Sequence, residues 1–437
     1  MAKVKVIGAG LAGVEASNYL ANHNIEVELI DIKPNKFTPA HSNKNYAELV
    51  CSNSLKSSDV YGNAAGLLKE EMRYLGSIMV EAADNTKVPA GGALAVDRDR
   101  FAEYITDKLR SNPLIKHVSL EVEEIDFNSD EYLIVATGPL TTDKLSQNIK
   151  TALGDGLYFF DASAPIIDFE SIDMENAFFG DRYDKGTGDH INCPMNKDEY
   201  LAFLDALLNA QRAELHGFEK DSVFEGCMPV EVMASRGTDT LRFGPLKPVG
   251  LTDPRTGRWA YACLQLRKED AEGKMYNMVG FQTNLLFPEQ KRVFSMIPAL
   301  KNAEFLRYGV MHRNTFINSP AVLEKDYSLK SNGKIFFAGQ ITGVEGYVES
   351  AASGLMSAIY CERKINNKES VTISDKTVLG SLAKYITTPN KDFQPMNANF
   401  GIIPALDRVI RDKKERKKEM AIRSLECVRE FIKEIEL

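Results

Sequence analysis

Little in this chain points to a metal site, a disulfide scaffold or a membrane. Of its 437 residues only six are cysteine and six histidine. The cysteines, Cys51, Cys193, Cys227, Cys263, Cys361 and Cys427, form no CxxC pair and are too sparse for a disulfide framework. They read as thiols in a reducing compartment. The same scatter, with no HExxH, argues against a structural zinc site, so no metal is expected. No apolar run is long enough to span a bilayer. The first strand starts at once and leaves no room for a signal peptide, so a cytoplasmic protein is expected. Positive charge is in deficit, with 53 Lys and Arg against 61 Asp and Glu and a net charge of -8. That balance argues against bulk polyanion binding, although a local basic face can still supply phosphate contacts. No internal repeat or low-complexity tract occurs. The length suffices for a large core and two domains.

What the chain does have begins at its third residue. Lys3-Val4-Lys5-Val6-Ile7 reads as a strand and runs into Gly8-Ala9-Gly10-Leu11-Ala12-Gly13, followed by a helix over 14–23. The glycines stand where a dinucleotide site needs a tight turn (Gly8), close pyrophosphate approach (Gly10) and close helix–strand packing (Gly13). The pyrophosphate would sit at the positive end of the helix dipole. A second strand, residues 26–30, ends at Asp31, about twenty residues onward, where an acid holds a ribose hydroxyl. A plain structural turn is the minor reading of this segment.

Further along, helices are expected over 64–75 and from Arg98 to about 109, with a strand alternating over 118–125. A buried strand at 132–135 ends in Ala136-Thr137-Gly138-Pro139, a turn that recurs in two-dinucleotide flavoproteins close to the cofactor. Residues 160–325 differ in texture, with a helix over 197–214 and short strands between Gly and Pro turns. The chain then returns through a strand over 334–337 to Gly339 and Gln340, a tight loop at Glu345-Gly346, and a helix over 348–361 rich in small residues. Those small residues suit close approach to a flat ring or a phosphate. The expected class is α/β: a Rossmann-like FAD-binding domain of the two-dinucleotide-binding flavoprotein type with an inserted α+β domain. The expected boundaries are 1–160 and 325–437 for the two parts of the FAD domain and 161–324 for the insertion. Residues 407–437 read as helical and carry Arg408, Arg411, Lys413, Lys414 and Lys417, candidates for phosphate contacts. Their plainer reading is a solvated helix face.

At Ala47-Glu48-Leu49-Val50-Cys51-Ser52-Asn53-Ser54-Leu55 the chain resembles the folate- and FAD-dependent RNA (uracil-5-)-methyltransferases. The resemblance continues through residues 89–98, Asn192-Cys193-Pro194-Met195, Phe224-Glu225-Gly226-Cys227-Met228-Pro229-Val230-Glu231, residues 307–316, residues 339–350 and Phe393-Gln394-Pro395-Met396-Asn397. It covers nearly the whole chain in order. Asp31 stands where many members have Glu, and Lys56 where Arg is usual.

The resemblance implies methylation of a uridine at C5 in structured RNA, most often the T-loop uridine of tRNA and in one branch a uridine of 23S rRNA. It implies FAD, 5,10-methylenetetrahydrofolate as carbon donor by way of the reduced flavin N5, and NAD(P)H as reductant. A flavin-binding RNA chaperone without methyl transfer is the reading from another class. Uracil C5 is a poor nucleophile until a thiolate adds to C6, and its proton must later be removed. The resemblance assigns these tasks to Cys227 as nucleophile and Cys51 as proton-handling partner, or the reverse. Unaided, a cysteine is more often a small buried hydrophobe, and Cys193 is expected to be structural. The resemblance further implies His312 against the folate pterin, Glu345 or Glu349 at its edge, and Arg98 near the flavin or its pyrophosphate.

Overall fold

The computed structural model describes residues 3–38, 40–154, 157–184, 188–213, 228–390 and 393–436, with the backbone alone at 157–162, 184, 312 and 313. A five-stranded parallel sheet has the strand order Ile335–Phe337, Tyr132–Val135, Lys3–Ile7, Glu26–Asp31, Ile115–Ser119. The glycine-bearing strand is therefore central, and its outer neighbour on one side comes from the far end of the chain. Side chains alternate across this sheet with period two. Ile134 and Phe336 enter one core with Val4 and Val6. Leu133, Val135, Ile335 and Phe337 enter another, against Leu145 and Ile149 of the helix Asp143–Leu153. A sheet buried on both faces requires such runs of apolar residues.

The first helix, Leu11–Asn22, packs on the helix Tyr347–Ile365. The small residues of that second helix serve this packing. A Cβ on Gly354 would lie 2.1 Å from the carbonyl oxygen of Ala12. The neighbour that Gly354 admits is a helix, while Ser350, one turn earlier, faces the cleft at the strand ends.

The strand expected at 118–125 lies instead at Ile115–Ser119. Its partner ends at Asp31, which pairs with Ser119. The amide of Leu120 makes a last bond to the Asp31 carbonyl at 2.9 Å, and beyond it no ladder is left to join. Alternation alone does not hold a strand without a neighbour.

An antiparallel sheet has the order Phe178–Phe179, Ile191–Met195, Ala262–Lys268, Met275–Met278, Ile166–Asp168, Phe305–Arg307. Its core gathers Ile191, Cys193, Met195, Leu264 and Leu266 under Tyr200, Phe203 and Leu207. Those last three lie on the helix Lys197–Leu208, opened by a capping box between Asn196 and Glu199. That helix is shorter than expected, and residues 214–227 lie outside the described residues. A ribbon of Leu157–Ala162 against Met311–Phe316 stands in the chain on either side of this sheet.

The C-terminal helix is Lys413–Glu436. Asp412 accepts from the amide of Glu415 at 2.8 Å and so caps its start. Arg408 and Arg411 precede the helix, against the expectation of helix from residue 407. No helix of the described residues is long and apolar enough to cross a membrane.

Candidate dinucleotide cleft and thiol site

An open cleft of about 1140 Å³, counting space continuous with solvent, lies at the C-terminal ends of the parallel strands. Its lining brings together Gly8, Ala9, Gly10, Leu11 and Ala12, then Asp31, Thr137, Gly138, Gly339 and Gln340. This is the crevice where open α/β sheets bind ligands.

The glycine positions differ in what they face. A Cβ on Gly8 would strike the Ala136 carbonyl at 2.4 Å, and one on Gly13 the Gly8 carbonyl at 1.8 Å. A Cβ on Gly10 would meet nothing within 4 Å. Gly8 and Gly13 let strand and helix close together, whereas Gly10 borders open cleft. No side chain caps the helix that Gly10 opens, so its first amides are free to meet an anion. Asp31 braces this turn. Its Oδ2 accepts from the Ala9 amide at 2.6 Å and its Oδ1 from the Lys33 amide at 2.8 Å. A ligand that fits this cradle carries a diphosphate and a hydroxyl-bearing sugar, as FAD does.

Tyr347 and Val50 also line the cleft, and Cys51 follows Val50. The Tyr347 hydroxyl oxygen accepts from the amides of Cys51 at 2.7 Å and Ser52 at 3.3 Å. It lies 2.9 Å from Cys51 Sγ. With its lone pairs turned to two amides, the phenol has its proton left for the sulfur. A hydrogen bond donated to sulfur favours the thiolate. Burial, and then the adjacent Cys51, push the Tyr347 phenol well above its ordinary range, which keeps it a donor.

Arg98 starts the helix Arg98–Ser111 and turns towards this loop. Its Nη1 donates to the carbonyls of Leu49 at 3.0 Å and Val50 at 3.4 Å. Its Nε lies 2.6 Å from Glu269 Oε2, an ion pair aligned off the hydrogen-bonding direction. Arg267 grips the following residues, with Nη2 2.6 Å from Ser52 Oγ and Nε 3.0 Å from Asn53 Oδ1. Cys193, Cys263 and Cys361 are buried, unlike half-exposed Cys51. Burial raises the thiol of Cys193 well above its ordinary range, and that of Cys263 to about 12. A proton held that firmly suits a core residue.

Glu345 is buried and accepts from the Gln340 side-chain amide, while its own amide donates to the Met396 carbonyl at 2.8 Å. Gly346 precedes the helix Tyr347–Ile365, with φ at 118°. The side chain of Glu349 is fully buried. Its Oε1 accepts from Lys56 Nζ at 2.7 Å and from the Ala398 amide at 2.8 Å. Its Oε2 has no hydrogen-bond partner among the described residues. Cys227 lies outside the described residues, as does the side chain of His312; the backbone of His312 pairs with Asp161.

At the C-terminal tail, Arg408 pairs with Glu419 at 2.6 Å. Lys417 donates to the Gly62 carbonyl at 2.9 Å and stands over the Phe400 ring. Arg411, Lys413 and Lys414 are exposed. Sequence reasoning missed Tyr347, Arg267 and the cleft-lining Lys33, His41 and Glu48. Tyr347 and Glu48 stand inside recognised motifs, the one available signal; nothing in the sequence marks Arg267.

Fold and cleft together define a Rossmann-type α/β protein of the flavoprotein class. The solved structure of Aquifex aeolicus GidA superposes with a TM-score of 0.69 at 15% identity, covering 98% of this chain and 73% of that one, a likeness of fold. The family model described as "Glucose inhibited division protein A" matches residues 3–369. A Caldicellulosiruptor bescii protein named "Methylenetetrahydrofolate--tRNA-(uracil-5-)-methyltransferase TrmFO" is 56% identical over 436 residues, 99% of each chain. Proteins of the same name from Acetivibrio thermocellus and Fusobacterium nucleatum are 55% and 54% identical over 98% and 99% of this chain and 98% and 99% of their own. The chain belongs to the TrmFO family within that broader GidA group.

Proposed function

We propose that this protein methylates C5 of a uridine in tRNA, using FAD, 5,10-methylenetetrahydrofolate and NAD(P)H. The observation that carries the proposal is the Cys51 thiol held 2.9 Å from a half-buried phenol at the rim of a dinucleotide cleft. A simple dehydrogenase needs no such thiol, whereas C5 alkylation needs a sulfur nucleophile and a proton acceptor. The names of the relatives supply tRNA and folate as the substrate classes.

In this reading Gly8, Ala9, Gly10, Leu11 and Ala12 hold the FAD pyrophosphate and Asp31 its ribose. Gly13 keeps the helix close to the strand. Thr137, Gly138, Gly339, Gln340 and Gly346 shape the rest of the bed. When bound, FAD supplies the redox chemistry of one-carbon transfer. Cys51 takes the proton from C5 and Cys227 adds to C6, or the two exchange roles. Tyr347 keeps the Cys51 proton labile, and Arg98 fixes the loop that carries Cys51. His312 and Glu345 or Glu349 meet the folate. Arg411, Lys413 and Lys414 contact RNA phosphates. The division into 1–160, 161–324 and 325–437 and a cytoplasmic location belong to the same proposal, the latter supported by the free thiols of the described cysteines.

The deciding experiment supplies labelled methylenetetrahydrofolate and NADH with matched tRNA and 23S rRNA transcripts, and maps the modified base. Label at the tRNA T-loop uridine, lost in Cys51→Ala and Cys227→Ala variants that keep their flavin, is the expected result. Dominant labelling of the 23S transcript overturns the substrate. RNA binding without label overturns the methyl transfer in favour of a chaperone.

A further inference from the structure

Three groups hold the loop that carries Cys51, and each comes from a different part of the chain. Tyr347 receives the amides of Cys51 and Ser52. Arg98 donates to the carbonyls of Leu49 and Val50. The third is Arg267, on the strand Ala262–Lys268 of the antiparallel sheet, where it stands opposite Asn277. Its Nη2 is 2.6 Å from Ser52 Oγ and its Nε 3.0 Å from Asn53 Oδ1. Asn53 is fully buried, and its Nδ2 returns to the carbonyl of Lys268 at 2.8 Å and that of Val96 at 3.1 Å. The loop is thus tied through side chain and backbone to one spot on the other sheet. A guanidinium offers a rigid planar fork that bonds two acceptors at once, which an ammonium does not reproduce.

We propose that Arg267 is a positioning residue, holding Ser52 and Asn53 so that Cys51 Sγ stays on the Tyr347 hydroxyl at the rim of the cleft. The inference rests on the reading of Cys51 as a working thiol. Arg267 does not line the cleft; it grips Ser52 and Asn53, the two residues that follow Cys51. Among the described residues the charged and titratable groups around the loop include Arg98 and Glu269, in their ion pair, Arg267, Arg307, Tyr347 and Glu48, with Lys33 3.9 Å from Glu48. Among these groups arginines outnumber carboxylates, and their positive charge favours a thiolate at Cys51.

The test compares the FAD-loaded protein with its Arg267→Lys and Arg267→Met variants. Flavin absorbance reports the cofactor, steady-state methylation gives kcat and KM, and the iodoacetamide rate at Cys51, followed by peptide mass, is taken against pH. In Arg267→Met, flavin content and KM for tRNA should stay within about twofold of the parent, while kcat falls about tenfold or more. Its alkylation midpoint should rise by about one pH unit. Arg267→Lys should restore the midpoint and leave kcat low, because charge returns without the fork. A parental kcat and alkylation profile in Arg267→Met overturns the proposal. If that variant does not fold, Ser52→Ala removes the 2.6 Å contact alone; a several-fold lower kcat at constant KM supports the role, and an unchanged kcat overturns it. Alkylation needs no methyl transfer, so it judges Arg267 even where the parent protein leaves RNA unmethylated, a result that counts against the function instead.

Discussion

Cys51 and its hydroxyl partner are 296 positions apart in the chain. Tyr347 opens the long helix beyond the returning strand, and only the closing of the parallel sheet around the first strand brings it to the cysteine. Removing its hydroxyl takes away the group that accepts from two backbone amides and lies 2.9 Å from the sulfur. A hydrogen bond to a charged partner contributes about 1.5–3 kcal/mol, so Tyr347→Phe should lower the methylation rate about 10- to 100-fold. Its flavin content should match the parent, because the ring still lines the cleft. Stopped-flow and flavin absorbance check both, and a rate within twofold of the parent refutes the role of the hydroxyl. The glycine turn was legible in the sequence because each of its constraints is local: a turn, an approach and a packing contact within a few residues. Arg267 was not, because an arginine on a strand carries no mark of what it reaches.

The C-terminal helix shows how one element divides between fold and surface. Met420, Ala421, Ser424, Leu425, Val428 and Phe431 form its buried stripe, at the spacing of a helix with one face on a core. Lys417 and Arg408 are already used by contacts within the protein. That leaves Lys413 and Lys414 exposed at its first turn. If they meet RNA phosphates, each released counterion adds to the salt slope of binding, by about 0.7–0.9 per contact. A Lys413→Glu, Lys414→Glu double variant should therefore bind tRNA several-fold more weakly at low salt and lose about 1–2 from that slope. Filter binding across a salt series measures it, and parallel curves for parent and variant remove this helix from the interface. Composition made the basic run visible; which of its members were spent inside the fold depended on neighbours such as Glu419 and Gly62, placed there by the tertiary structure.

For the whole molecule the buried acids set a pH signature. Glu15, on the first helix, accepts from the Ser77 hydroxyl and from the Met79 amide at 2.8 Å, so it joins that helix to Ile78–Thr86. Its other oxygen, Oε2, has no partner among the described residues. Burial raises its pKa from 4.5 to about 7. Burial does the same to Glu71, which accepts from the first amides of the helix Val378–Thr387 at 2.8 and 2.9 Å. The folded state then binds protons that the unfolded chain has released. The stabilisation is full below the unfolded value and is lost as pH rises through about 7. Each acid contributes on the order of 3 kcal/mol to that fall. Glutamine resembles the neutral acid and keeps the accepting oxygen, so Glu15→Gln should leave Tm nearly unchanged at pH 5 and raise it at pH 8. Calorimetry across that range decides; equal slopes for parent and variant would mean that Glu15 does not titrate there.

By itself the sequence determined the fold class and the family. Parallel strands, glycine turn and helix periodicities are local patterns, and motifs spread along nearly the whole chain locate it among its relatives. The tertiary structure alone decided which polar side chains work together. It turned Glu349 inward onto Lys56, gave the small residues near Gly354 a helix as their neighbour, and closed Tyr347, Arg98 and Arg267 around one thiol. These outcomes depend on contacts between residues tens to hundreds of positions apart, and pattern along a chain carries no distance between such residues.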